Sequence, residues 1–135
     1  MIKTAELKKR TLNLILKKKV RIGIIGLGYV GLPLALLFAK KGFKIFGFDN
    51  DNKKIKSINK NRSYIERISN KNITLLNKKG NKCFRDYKNI SECDIIIICV
   101  PTPLKNRNIP DLSYIRKTIQ DISKYIKKGQ TVILE

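Results

Sequence analysis

The feature that most constrains this chain is a glycine loop, Gly26-Leu27-Gly28-Tyr29-Val30-Gly31, wedged between an apolar run and an apolar helix pattern. Glycines spaced G-x-G-x-x-G also arise by chance, so the context decides what they mean. Here the loop follows the buried run Val20 to Ile25, opens the helical stretch Tyr29 to Lys41 and lies inside a strand–helix–strand unit. In that setting Gly26 permits the tight turn, Gly28 lets the backbone approach a pyrophosphate, and Gly31 lets the helix pack closely on the strand. The helix N-terminus supplies free N–H groups and a positive dipole end for the anion.

The rest of the chain alternates in the same way. A helix is expected over Thr4 to Lys19, with Thr4 as N-cap and Leu7 and Leu14 on its apolar face. Gly42 stands where a helix ending at Lys41 needs its C′ residue, and Pro33 lies near the first turn, where a missing N–H is tolerated. Lys44 to Phe48 reads as a strand, Lys53 to Asn59 as a helix, and Lys71 to Lys79 as a short helix before Gly80. A short strand surrounds Cys83, and Asp94 to Val100 is a buried strand carrying Ile95, Ile96, Ile97 and Ile98 in succession. Pro101, Pro103 and Pro110 punctuate a loop. Leu112, Ile115, Ile119, Ile122 and Ile126 give one helical stripe over Leu112 to Lys127, and Thr131 to Leu134 begins a last strand.

Strands that are continuously apolar belong to parallel sheets covered on both faces. Right-handed crossovers then give a doubly wound order, 3-2-1-4-5. The expectation is an α/β Rossmann sheet over residues 20–135, incomplete at its C-terminus, behind a helical extension over residues 1–19.

Asp49 ends the second strand, 21 residues after Gly28. A carboxylate there can accept hydrogen bonds from an adenine ribose and would repel a 2′-phosphate, which favours NAD over NADP. Its other reading is as a cap for the following helix, and the two roles can coexist.

Composition narrows the remaining classes. There is no histidine, and Cys83, Cys93 and Cys99 have neither metal-ligand nor C-x-x-C spacing, so neither a metal site nor a thiol nucleophile is expected. Cys99, closing the isoleucine run, reads as a buried strand residue. No apolar run nears the roughly 20 residues that span a bilayer. Leu12 to Leu16 is too short for a signal peptide, which points to the cytoplasm and to no membrane partner. The formal net charge is +20, the footprint of a nucleic-acid binder. Yet the 23 lysines and 7 arginines are scattered and not interleaved with aromatics, so no specific nucleic-acid partner is expected; weak, salt-sensitive binding to polyanions is.

Five stretches together carry a resemblance: IGIIGLGYVGLPLA (Ile22 to Ala35), FDNDNKKI (Phe48 to Ile55), SYIE (Ser63 to Glu66), ECDIIIICVPTPL (Glu92 to Leu104) and PDLSYI (Pro110 to Ile115), with the closing GQTVILE (Gly129 to Glu135) fitting the same pattern. The chain resembles the UDP-glucose/GDP-mannose dehydrogenases, most of all the UDP-N-acetylglucosamine 6-dehydrogenase branch. The resemblance implies an NAD-dependent enzyme that oxidises C6 of a UDP-sugar from alcohol to carboxylate for surface polysaccharides, with UDP-glucose as the second candidate. It implies that Tyr29 and Val30 flank the diphosphate, that Lys54 lies near the adenosine ribose, and that Pro101 and Thr102 lie beside the nicotinamide half. Lys54 could instead be a solvated helix lysine. Glu66 matches a family glutamate and could equally serve a structural salt bridge.

Family members are much longer, and their catalytic cysteine and sugar-binding half match nothing here. The chain is therefore expected to be an NAD-binding portion, inactive alone, of an enzyme that is a homo-oligomer at full length. The competing expectation is a free-standing NAD-binding regulatory module.

Overall fold

The computed structural model describes residues 4–105 and 108–135. The first three residues of the helical extension, and positions 106–107 of the proline loop, lie outside the described residues. In chain order the elements are α1 (Thr4–Leu16), β1 (Arg21–Ile25), α2 (Gly31–Lys40), β2 (Lys44–Phe48), α3 (Asn52–Asn59), α4 (Asn70–Leu76) and β3 (Lys82–Phe84). After a 3-10 turn at Lys88–Glu92 follow β4 (Ile95–Ile98), β5 (Leu104–Lys105), β6 (Ile109–Pro110), α5 (Ser113–Ser123) and β7 (Thr131–Leu134).

Five strands form one parallel sheet in the order β3-β2-β1-β4-β7, the doubly wound 3-2-1-4-5 arrangement. Successive strand residues point to opposite faces, and each face has its own core. Ile22, Ile24, Ile45 and Ile97 meet α2, α3 and α4 through Leu32, Leu36, Ile55, Ile58 and Ile73. Ile25, Phe46, Phe48, Ile96 and Ile98 meet Ile90 of the 3-10 turn and Ile122 of α5. Burying one such side chain contributes roughly 1.5–3 kcal/mol, which is why the central strands are nearly unbroken isoleucine and phenylalanine.

Several boundaries differ from the sequence reading for local reasons. Helix α2 ends at Lys40, with Gly42 in the expected left-handed conformation (φ 90°) and its N–H donated to the Ala39 carbonyl. Helix α5 stops at Ser123, not Lys127: the chain turns at Lys124, the Lys127 N–H goes to the Gln130 side chain at 2.6 Å, and Gly129 (φ 95°) leads into β7. Of its five-residue stripe only Ile115 and Ile122 are buried; Leu112, Ile119 and Ile126 stay exposed. The proline loop is not structureless, since β5 and β6 pair as a small antiparallel hairpin within it. Thr4 already lies in α1, so its cap position falls outside the described residues.

Candidate functional site

The C-terminal ends of β1, β2 and β4 open into a cleft of about 780 Å³. This is where a doubly wound sheet places ligands, at the reversal of strand order beside β1. Gly26, Gly28, Tyr29 and Val30 form one wall, Asp49 and Lys54 a second, and Pro101 and Thr102 a third.

The three glycines divide the work. Gly26 holds φ 89°, and a β-carbon there would sit 2.7 Å from the Cys99 carbonyl oxygen, so both conformation and space require glycine. A β-carbon at Gly31 would lie 1.7 Å from the Gly26 carbonyl oxygen. Gly31 is buried beneath the loop and does not line the cleft, so it shapes the site by packing. Gly28 is different: a β-carbon there meets nothing within 4 Å. Its missing side chain leaves open space toward the cleft, the room a pyrophosphate needs. Val30 is the N-cap of α2, whose N-terminal end borders that space. Leu32 already donates its N–H to the Gly28 carbonyl at 3.1 Å and Pro33 has none, so of the first turn the Gly31 N–H and the positive end of the helix dipole are left for an anion. Tyr29 stands 84% exposed above it.

Asp49 is buried, 5% exposed, at the end of β2. Its Oδ2 accepts the Leu27 N–H at 2.8 Å and the Lys54 ammonium at 3.1 Å, while Oδ1 accepts the Asp51 N–H at 2.9 Å. The cap of α3 is Asp51, whose side chain accepts the Lys53 N–H at 2.8 Å. Asp49 is thus spared for the loop and the cleft, and Lys54 is ion-paired at the site rather than a free surface lysine.

Tyr64 was not singled out from the sequence, although it lies in the SYIE segment. Its hydroxyl donates to the Leu27 carbonyl at 2.5 Å, and burial, with Asp49 next in effect, raises its pKa. Glu66, two residues on, is exposed and forms no ion pair among the described residues. Tyr114, Thr118 and Asp121 of α5 also line the cleft. Their i, i+4, i+7 spacing, a row flanking the buried Ile115 and Ile122 with Thr118 buried between, is the sequence signal that could have found them.

Cys99 corrects an expectation. It lies just past β4, half-buried, on the cleft wall and not inside the strand. Burial pushes its thiol up to about 11, and those of Cys83 and Cys93 up to about 12. None is a poised thiolate.

Comparison with known proteins then fixes the lineage. The NAD binding domain of the UDP-glucose/GDP-mannose dehydrogenase family matches residues 20–135. This chain belongs to that family. The cofactor of the domain is NAD, and the open space at Gly28 with the carboxylate of Asp49 beside it fits such a group. The UDP-N-acetyl-D-mannosamine dehydrogenase of Pyrococcus horikoshii is 34% identical over 118 residues, covering 86% of this chain and 28% of that protein. The UDP-N-acetyl-D-glucosamine 6-dehydrogenase of Pseudomonas aeruginosa is 34% identical over 87% of this chain and 27% of its own length. Among solved structures, a ternary complex of GDP-mannose dehydrogenase from Pseudomonas aeruginosa superposes with a TM-score of 0.78 at 32% identity, over 84% of this chain and 28% of that one. The chain therefore spans little more than a quarter of the length of these relatives.

Proposed function

We propose that this chain holds NAD for a nucleotide-sugar 6-dehydrogenase, which oxidises C6 of a UDP-sugar from alcohol to carboxylate. The observation that carries this reading is the Asp49 carboxylate locked to the glycine loop through Leu27, beside the open space at Gly28. NAD supplies hydride acceptance. The chain's own residues supply its seat: α2 faces the diphosphate, Asp49 and Lys54 take the adenosine ribose, and Pro101 and Thr102 border the nicotinamide half. Tyr29 and Val30 flank the diphosphate from above.

UDP-N-acetylhexosamines, UDP-N-acetylglucosamine foremost, are the substrates we assign, with UDP-glucose second. Relatives named for both N-acetylmannosamine and N-acetylglucosamine are 34% identical to this chain, which supports the class rather than one epimer. We read the chain alone as binding but not oxidising: it spans little more than a quarter of its relatives' length, and none of Cys83, Cys93 and Cys99 matches the catalytic cysteine that the family resemblance implies.

Calorimetry tests the reading. NAD should bind one to one, NADP at least about tenfold more weakly, a difference of about 1.4 kcal/mol, and UDP-N-acetylglucosamine with NAD should yield no NADH. Equal affinity for NADP would sink the ribose assignment, and NADH formation would sink the inactive-alone reading. The cleft that these residues form also supports a second reading, a free-standing NAD-binding regulatory module. Both readings expect NAD to bind this chain; a full-length dehydrogenase whose activity changes on adding the chain favours the module, and no effect favours a portion of the longer enzyme.

A further inference from the structure

The lysines that look scattered in sequence are gathered by the fold. Because all five main strands are parallel, the turns that precede them lie at one edge of the sheet, opposite the cofactor cleft. Lys17, Lys18 and Lys19 precede β1, and Lys40 and Lys41 precede β2. Lys78 and Lys79 precede β3, and Lys127 and Lys128 precede β7. All nine are exposed. Contacts tie these turns together: a β-carbon at Gly42 would lie 3.7 Å from Lys18 Cδ, and one at Gly80 would lie 3.6 Å from Lys44 Nζ.

Few carboxylates answer them. Glu92 pairs with the Arg21 guanidinium at 2.8 Å, and Asp94 accepts the Arg21 N–H at 2.8 Å; Glu6 is the acidic residue of the first turn of α1. By contrast Asp49, Asp51, Asp86, Asp111, Asp121 and Glu135, six of ten carboxylates, lie at or beside the cleft edge. Of these, Asp49, Asp111 and Asp121 pair with Lys54, Lys105 and Lys117, whereas none of the nine edge lysines is in an ion pair among the described residues. Two of the nine lysines, Lys18 and Lys79, hold left-handed backbone (φ 53° and 58°), where glycine would be unstrained.

Helix α1 crosses this same edge. A β-carbon at Gly129, ahead of β7, would lie 3.3 Å from Leu7 Cδ2, and the other end of α1 runs into the Lys17–Lys19 turn before β1. Leu14 and Ile15 pack inward on the core. Leu12 and Leu16, one turn apart, point outward at 56% and 72% exposure, with Lys8 and Lys9 exposed on the same helix. Exposed leucines next to a dense lysine field are the two signals that together hold a helix on an anionic bilayer surface. Lysine rather than arginine, and no aromatic platform, fit headgroup phosphates better than nucleobases.

We propose that the edge opposite the cofactor cleft docks on an anionic lipid surface, with Leu12 and Leu16 entering the headgroup region and the lysine turns neutralising the headgroups. Among the described residues no helix is long and apolar enough to cross a membrane; the contact proposed is peripheral, departs from the sequence expectation of no membrane partner, and leaves the cleft open to the aqueous side.

Vesicle co-sedimentation tests this, using phosphatidylcholine alone and phosphatidylcholine mixed with phosphatidylglycerol. The chain should pellet only with the mixed vesicles, and raising salt to about 1 M, where the Debye length is about 3 Å, should release most of it. The triple variant Lys17→Glu, Lys18→Glu, Lys19→Glu should bind at least about tenfold more weakly. So should Leu12→Asn with Leu16→Asn, while Lys40→Gln with Lys41→Gln gives a weaker loss from an independent turn. All variants should keep their circular dichroism and their NAD affinity. Equal pelleting with phosphatidylcholine alone would overturn the proposal. So would leucine variants that bind vesicles like the parent while heparin competes fully, which identifies a plain polyanion surface, or a dimer in solution that buries the lysine turns.

Discussion

Asp49 Oδ2 accepts the backbone N–H of Leu27 at 2.8 Å, so the carboxylate at the end of β2 is a structural member of the glycine loop. Leu27 is held on every side: its N–H by Asp49, its carbonyl by the Tyr64 hydroxyl, and its side chain in the core against Gly47. The loop is thus shaped before any dinucleotide arrives. An ionised carboxylate offers about four acceptor sites, and three bonds already occupy Asp49 from Leu27, Lys54 and Asp51. Room remains for one ribose hydroxyl, with a second available to Lys54.

Asp49→Ala should therefore damage both fold and binding. It leaves the buried Leu27 N–H without an acceptor, which should lower stability by about 1–3 kcal/mol in urea unfolding, and NAD affinity should fall by a similar amount. A variant that loses affinity with an unchanged unfolding midpoint would show that Asp49 serves the ligand alone.

The glycines at 28 and 31 should have opposite phenotypes. Gly28→Val adds a side chain into open space, so it should keep the parent melting temperature and lose NAD binding. Gly31→Ala drives a β-carbon to within 1.7 Å of the Gly26 carbonyl oxygen, which should destabilise the fold by about 3 kcal/mol or more. Thermal melts paired with NAD titrations read both effects.

Tyr64→Phe keeps the ring and removes the bond to the Leu27 carbonyl. It should lower stability by about 0.5–1.5 kcal/mol and weaken NAD binding modestly, with adenosine-half ligands such as ADP-ribose affected as much as NAD. The loop it steadies serves the adenosine and diphosphate side, so a mononucleotide of nicotinamide should be indifferent to the change.

Alkaline pH should unfold the chain through its thiols. Free thiols titrate near 8.5, whereas burial holds Cys99 near 11 and Cys83 and Cys93 near 12. Between those values the unfolded chain has lost protons that the folded chain keeps, so stability is full below about pH 8.5 and falls as pH rises toward the folded values. Replacing the three cysteines with alanine should flatten that decline in a pH series of urea midpoints. Alkylation of the native protein at neutral pH should be slow at all three.

Strand order and the glycine loop were legible because periodicity is a local signal: apolar β1, β2 and β4 each sit beside a helix pattern and a turn residue such as Gly42. Asp49 was legible as a strand-end carboxylate, but its bond to Leu27, across 22 residues, was not. Nor was the division of labour between Asp49 and Asp51, since both precede α3 and only the backbone path decides which one caps it. Tyr64 escaped because it sits on a loop without periodicity. The hairpin of β5 and β6 escaped because its prolines mask two very short strands. Composition described the lysines as scattered, and only the parallel sheet shows that nine of them share an edge.

Mapping NAD onto the chain by amide chemical shifts is the most direct test of the cleft. On titration, Gly28, Tyr29, Val30, Asp49 and Thr102 should shift together and saturate at one equivalent, while Lys18, Lys41, Lys79 and Lys128 at the far edge stay still. Saturable shifts confined elsewhere, or none at the glycine loop, would contradict the account.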